Sequence, residues 1–242
     1  MKTLYTLIFL AITYTSLFPQ DRLLVVKVNG IIIAKNLNKE LQTGLEIASN
    51  EKFDFKAPTA TASLINPKSG KIFQLNVKKN IYMPDIEVFE DRGEGDELLF
   101  EFFTDTVVFY KRISVTLPQN LYEKFKNQEY ILTLFINAKK VSLPFKQTEN
   151  SFVLQNGDIV NIQPGQYEAQ LCSVKKNDKS SSVLSKFLLI IPDNKSFNNE
   201  CTVIKKVTTD KANLKRMLFE FIKINYGKIA NSDIEEIMNN EQ

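Results

Sequence analysis

Short apolar runs that alternate with polar residues, each closed by turn-forming residues, recur from Leu23 to Ile191, and this punctuation commits the chain to a mainly β fold. In LLVVKVNGIIIAKNLNKELQTGLEIASNEKFDFKAPTATASLINPKSGKIFQLNV, the residues Val26, Val28, Ile31 and Ile33 favour extended backbone. Asn29-Gly30 predicts a tight turn, and Gly44 closes the LQTG segment. Phe53 and Phe55 alternate with Lys52, Asp54 and Lys56, and Asn66-Pro67-Lys68-Ser69-Gly70 predicts a further turn. These features define a small β domain over 21–80.

A second β region follows. Strands are expected at Leu98–Tyr110, Ile113–Leu117, Tyr130–Ile136, Lys140–Phe145, Ser151–Leu154, Gln166–Val174 and Val183–Ile191. The turn residues between them (Pro118-Gln119-Asn120, Gln155-Asn156-Gly157-Asp158, Gln163-Pro164-Gly165) give the spacing of a β-sandwich-like domain over 98–195. Leu121–Phe125 is expected to form one helical turn. The period then changes: behind Asp210 as N-cap, Leu214, Met217, Leu218, Phe221 and Ile222 recur at helix spacing. Gly227 ends that helix, and Ser232 caps a shorter one through Ile237 and Met238. The segment 196–242 is thus expected to be a helix or helical pair packed on the β domain.

The N-terminal stretch MKTLYTLIFLAITYTSLFPQ has a positive start and an apolar run too short to span a bilayer, the pattern of a signal peptide over 1–20. Export places the chain in a periplasmic, secreted or cell-surface setting. In an oxidising compartment Cys172 and Cys201 are candidates for a disulfide, which would contribute roughly 3 kcal/mol by the chain-entropy argument. The alternative is two buried free thiols.

The chain contains no histidine, which excludes Ser-His-Asp and Cys-His machinery, His-containing zinc sites and His acid-base catalysis. Carboxylate-only chemistry stays open. There are 31 Lys and Arg against 28 Asp and Glu, and the basic residues fall in scattered pairs such as Lys78-Lys79 and Lys139-Lys140. Nucleic-acid binding calls for a basic stripe with interleaved aromatics, so these pairs read as solvated turns and strand edges.

The linker 81–97 carries Gly93-Glu94-Gly95 among acids. It lacks the Gly-Lys-Ser/Thr of a phosphate loop, and its acids repel phosphate. Its oxygen donors do not follow the EF-hand spacing either. A hinge or partner contact is the better reading, with Arg92, Glu94, Asp96 and Glu97 as the contacting residues. No cofactor or metal is expected.

The order of a strand ending near Gly30, Leu41-x-x-Gly44-x-x-Ile47, the alternating KFDF and the closing PKSGK resembles the FecR-like β domain over about residues 23–76. That likeness implies a sensing or protein-contact module of the bacterial envelope. The chain departs from membrane-spanning FecR regulators, since no cytosolic segment precedes a transmembrane helix. The remainder, with RGEGDELLFEFFTDTVVFYKRI and PGQYEAQLCSV, looks like secreted two-part proteins of Bacteroidota, from which no activity carries over. Asp105-Thr106-Val107 resembles the O-glycosylation sequon of such proteins, with Thr106 as the acceptor; Thr106 is equally a good strand former.

The expected function is that of an exported, non-catalytic envelope interaction or scaffold protein with an envelope protein as partner. The alternative is a carbohydrate- or peptidoglycan-directed binder or a hydrolase using two carboxylates. Binding of that kind would use exposed aromatics, for which Tyr110, Tyr130 and Tyr167 are candidates, although the chain has no Trp.

Overall fold

The computed structural model describes residues 21–85, 102–116, 119, 123, 127–158, 162–176 and 180–239. The signal segment 1–20, the loop residues Arg92, Glu94, Asp96 and Glu97, and most of the helical turn expected at 121–125 lie outside the described residues. The chain divides after Met83 into two compact units, close to the expected end of the first module at 80.

The described residues of the first unit form eight short strands: β1 (Arg22–Asn29), β2 (Ile32–Ala34), β3 (Lys39–Glu40), β4 (Glu46–Ala48), β5 (Phe53–Phe55), β6 (Thr61–Ile65), β7 (Ile72–Asn76) and β8 (Asn80–Tyr82). They form a five-stranded sheet, β4-β1-β6-β7-β8, and a three-stranded one, β3-β2-β5, with every pair antiparallel. Leu23, Val25, Ile32, Ala34, Leu41, Ile47, Leu64 and Leu75 make one core between them. Strict alternation cannot bury Val25 and Val26 together, yet both are buried. The pairing of β1 with β6 shifts between Val25 and Lys27; Val25 joins this core, and Val26 is buried without being part of it.

The turns follow the expected chemistry. Gly30 has φ +81°, and a Cβ there would lie 3.1 Å from the Cβ of Ala60. The Asn66 side chain accepts hydrogen bonds from the backbone N–H of Lys68 and Ser69, and Asn76 does the same for Lys78 and Lys79.

The second unit holds β9 (Thr106–Val108), β10 (Arg112–Thr116), β11 (Gln128–Ile136), β12 (Lys139–Pro144), β13 (Lys146–Thr148), β14 (Ser151–Gln155), β15 (Gly165–Lys175) and β16 (Ser181–Ile191). One sheet runs β12-β11-β15-β16-β9 and the other β10-β14-β13. Side chains from both sheets share a core that includes Ile113, Tyr130, Leu132, Leu134, Phe152, Leu154, Leu171 and Leu189. The rings of Tyr130 and Phe152 meet edge to face at 4.6 Å between centroids. This is the sandwich-like layering anticipated from strand spacing.

The long strand expected at Leu98–Tyr110 is corrected: among its described residues only Thr106–Val108 is strand. Asp105 sits at φ +59°, a left-handed kink that ends any extended run entering from Phe103. Phe103 is fully buried in the core instead of lying on a strand.

Three helices close the second unit: α1 (Asn194–Lys205), α2 (Lys211–Asn225) and α3 (Asn231–Asn239). Asp210 caps α2, accepting from the Asn213 N–H, as expected from sequence. Ser232 does not precede α3 as its cap but lies within its first turn. The helix α1 lies at the start of the segment expected to be helical, which the sequence resolves only from Asp210 onward; Asp193 caps it through the Ser196 N–H. The helical segment belongs to the same compact unit as the sandwich. None of the described helices is long and apolar enough to cross a membrane.

Just past α2, Gly227 takes φ +121° and redirects the chain against β9. Lys228 then pairs in parallel with Val107: its N–H donates to the Thr106 carbonyl at 2.8 Å, and its carbonyl accepts from the Val108 N–H at 2.7 Å. A single residue thereby occupies the outer edge of β9.

Candidate functional site

Strand register places an apolar row and a mixed row on the face of the five-stranded sheet turned away from the shared core, a face on which Cys172 and Thr133 are themselves buried. In one, Pro144, Ile131, Cys172 and Val183 lie opposite one another across β12, β11, β15 and β16. In the other, Lys140, Phe135, Glu168 and Leu188 are aligned, and Thr106 of β9 continues the row. Between them runs a polar row of Ser142, Thr133, Gln170 and Lys186. Val183, Leu188 and Phe135 are 53%, 42% and 36% exposed, although alternation along their strands points the neighbouring Phe187, Leu189 and Leu134 into the core. A face of exposed large apolar side chains with charges set among them has the composition of a protein contact surface.

A second cluster lies where the helices meet the residues that follow β9. Tyr110 packs its ring on Phe197 at 4.9 Å and donates from its hydroxyl to Asn198 Oδ1 at 2.6 Å. Phe197 in turn meets Tyr226, whose hydroxyl donates to the buried Glu200 carboxylate at 2.6 Å. Burial pushes the phenols of Tyr110 and Tyr226 above their ordinary range. Lys111 Nζ donates to Glu236 Oε1 at 2.8 Å, and this bond, the largest influence on it, raises the ammonium's pKa. Next to it, Arg112 Nε approaches Asp233 Oδ1 at 3.4 Å. Asp233 is 1% exposed, and neither of its carboxylate oxygens has a hydrogen-bond partner among the described residues. Burial pushes its carboxyl up to about 7, outweighing the opposing pull of Arg112.

The expected disulfide does not form. Cys172 and Cys201 are both free and buried. Cys172 lies mid-strand in β15, its sulfur 4.0 Å from the Thr133 hydroxyl. Cys201 belongs to α1, in the helix layer beside Glu200, and burial drives its thiol up to about 12. The two sulfurs are held by different elements, each already packed by its own neighbours.

The tyrosine platform proposed for sugar binding is also absent at its three candidate positions. Tyr110 and Tyr130 are 4% and 2% exposed. Tyr167 is half-buried against the core and donates its hydroxyl to the Gln163 carbonyl. No sheet face presents these three rings together, because each turns its apolar body inward. Of the exposed Phe135, Val183 and Leu188, only Leu188 carries a signal in the sequence, the unbroken FLLII run at 187–191 having too many apolar residues for one buried face.

Thr106 begins β9 and is half-buried, with its methyl close to Gly227. Among the described residues no group of three or more Cys, Asp or Glu side chains is arranged to hold a metal ion.

Compared with known families and with curated proteins, the chain matches no family model and no curated sequence. The class of protein is therefore defined by its architecture: a mainly β, two-unit chain with a C-terminal helical layer.

Proposed function

We propose that this chain is an exported, non-catalytic interaction protein of the bacterial cell envelope, acting as a scaffold through contact with an envelope protein. The observation that carries the reading is the outward face of the β12-β11-β15-β16-β9 sheet, where Phe135, Val183 and Leu188 remain exposed beside Lys140, Glu168 and Lys186. Apolar anchors ringed by both signs of charge favour a protein surface of matching chemistry over a polymer of sugars, for which stacking aromatics would be needed. The signal-like N-terminus and the likeness of the first module to FecR-like contact domains support the same setting. The linker residues Arg92, Glu94, Asp96 and Glu97 are proposed as a secondary contact.

The test is affinity capture from a source-cell envelope extract, comparing the native sequence from residue 21 onward with a Val183→Asp, Leu188→Asp variant of unchanged circular dichroism. Envelope proteins retained by the first and lost from the second are the expected result. Equal capture by both would remove the sheet face as the site, and recovery of glycan in place of protein would overturn the reading.

A further inference from the structure

The last helix is attached to the sandwich through a carboxylate whose surroundings suit its neutral form. Ile234 and Ile237 supply the apolar side of α3 and are buried, and Asp233 is buried beside them. The carboxylate oxygens of Asp233, the Ser232 hydroxyl and Arg112 Nε are all shielded from water and without hydrogen-bond partners among the described residues. A buried polar group left unsatisfied in this way costs free energy, and the cost is far larger when the group is charged.

We propose that α3 is a pH-released flap, seated on β10 while the Asp233 carboxyl keeps its proton and lifting away when that carboxyl ionises.

The charges facing Asp233 decide the direction. From β10, Arg112 stands at 3.4 Å and favours ionisation, as does Lys111 just before that strand. From its own helix, Glu236 opposes ionisation while pairing with Lys111. On the α2 side, Lys215 pairs with Glu235 at 3.1 Å; both are substantially exposed and their pair spans the two helices without reaching into the buried site. Burial outweighs the two cations, so the docked carboxyl titrates at about 7 against 3.8 for a free one. The docked state therefore binds the proton more tightly than the released state. Seating is fully favoured below 3.8 and weakens as pH rises through about 7. Release would bare the apolar pair Ile234 and Ile237, so an alkaline shift would expose a contact surface hidden at mildly acid pH.

A nitroxide attached at Asn239→Cys, on the exposed final turn of α3, reports the seating, because Cys172 and Cys201 are buried. In the otherwise native chain the mobile spectral component should grow at least about twofold between roughly pH 5 and pH 8. With Asp233→Asn added it should stay constant over that range. A flat response in the native background, or the same rise in both, overturns the proposal. Should Asp233→Asn fail to fold, the carboxyl ¹³C resonance of Asp233 in the unaltered chain decides: a midpoint near 7 supports the flap, and one at or below 4 overturns it.

Discussion

Cys172 and Cys201 illustrate how one residue type can carry two meanings until its neighbours are known. An even cysteine count in an exported chain argues for a bridge, yet each thiol here occupies a separate layer and is among the well-buried residues. Protein purified without reductant and then denatured should react with two equivalents of a thiol reagent per chain, whereas the folded protein at neutral pH should react with almost none. Labelling of fewer than two after denaturation would restore the disulfide. Residue-level reading succeeded where the backbone itself dictated the choice, as at Gly30 and at the Asn66 turn, because φ and side-chain capping are local properties. It failed at Tyr110 and Tyr130, since exposure depends on what packs over each ring, the helix α1 at Tyr110 and Phe152 of the facing sheet at Tyr130. The β11–β12 turn escaped for a related reason: Asn137 and Ala138 both hold left-handed backbone, a task usually marked by Asn-Gly.

At the scale of elements, regular periodicity was readable and its interruptions were not. The strands β11, β12, β14, β15 and β16 fall within a few residues of their expected bounds, because alternation over a half-buried sheet leaves a direct record. The helix α1 carries a weak record: Phe197, Cys201 and Ile204 do recur at helix spacing, but the Asn pair at 198–199 lowers helix propensity. The junction from α2 to β9 offers the sharpest test of an element's attachment. A Cβ on Gly227 would stand 2.6 Å from the Thr106 carbonyl oxygen and 2.8 Å from its methyl, on backbone that L residues rarely adopt. Gly227→Ala should cost at least ~2 kcal/mol in urea unfolding. A loss under about half a kcal/mol would mean that the chain reverses past β9 without this contact.

Among the described residues each unit has a hydrophobic core of its own, and the stability of the molecule should reflect that. Leu64 is fully buried in the first unit and Leu132 in the second. Each Leu→Ala change removes about 2–5 kcal/mol from its own core. Calorimetry should resolve two unfolding transitions, with Leu64→Ala lowering one and Leu132→Ala the other; a single transition moved equally by both would contradict the division after Met83. This division was legible from composition because the acids and glycines of 81–97 interrupt two stretches of β pattern. The candidate contact face was not, since only strand register shows that Phe135 and Leu188, far apart in sequence, stand in one row.

The pairing of Lys228 with β9 also bears on how this protein can multiply. An open sheet has two places at which another strand can join, and a chain with both places free can stack without limit. Here one residue of the same chain sits against the outer side of β9, and the strand at the opposite end, β12, opens with Lys139 and Lys140. Both ends of the sheet are thereby blunted against a further strand, one by a backbone bridge from the same chain and the other by two adjacent lysines that a second copy would bring against its own. Growth of stacked copies into a fibre is disfavoured at either end of the sheet.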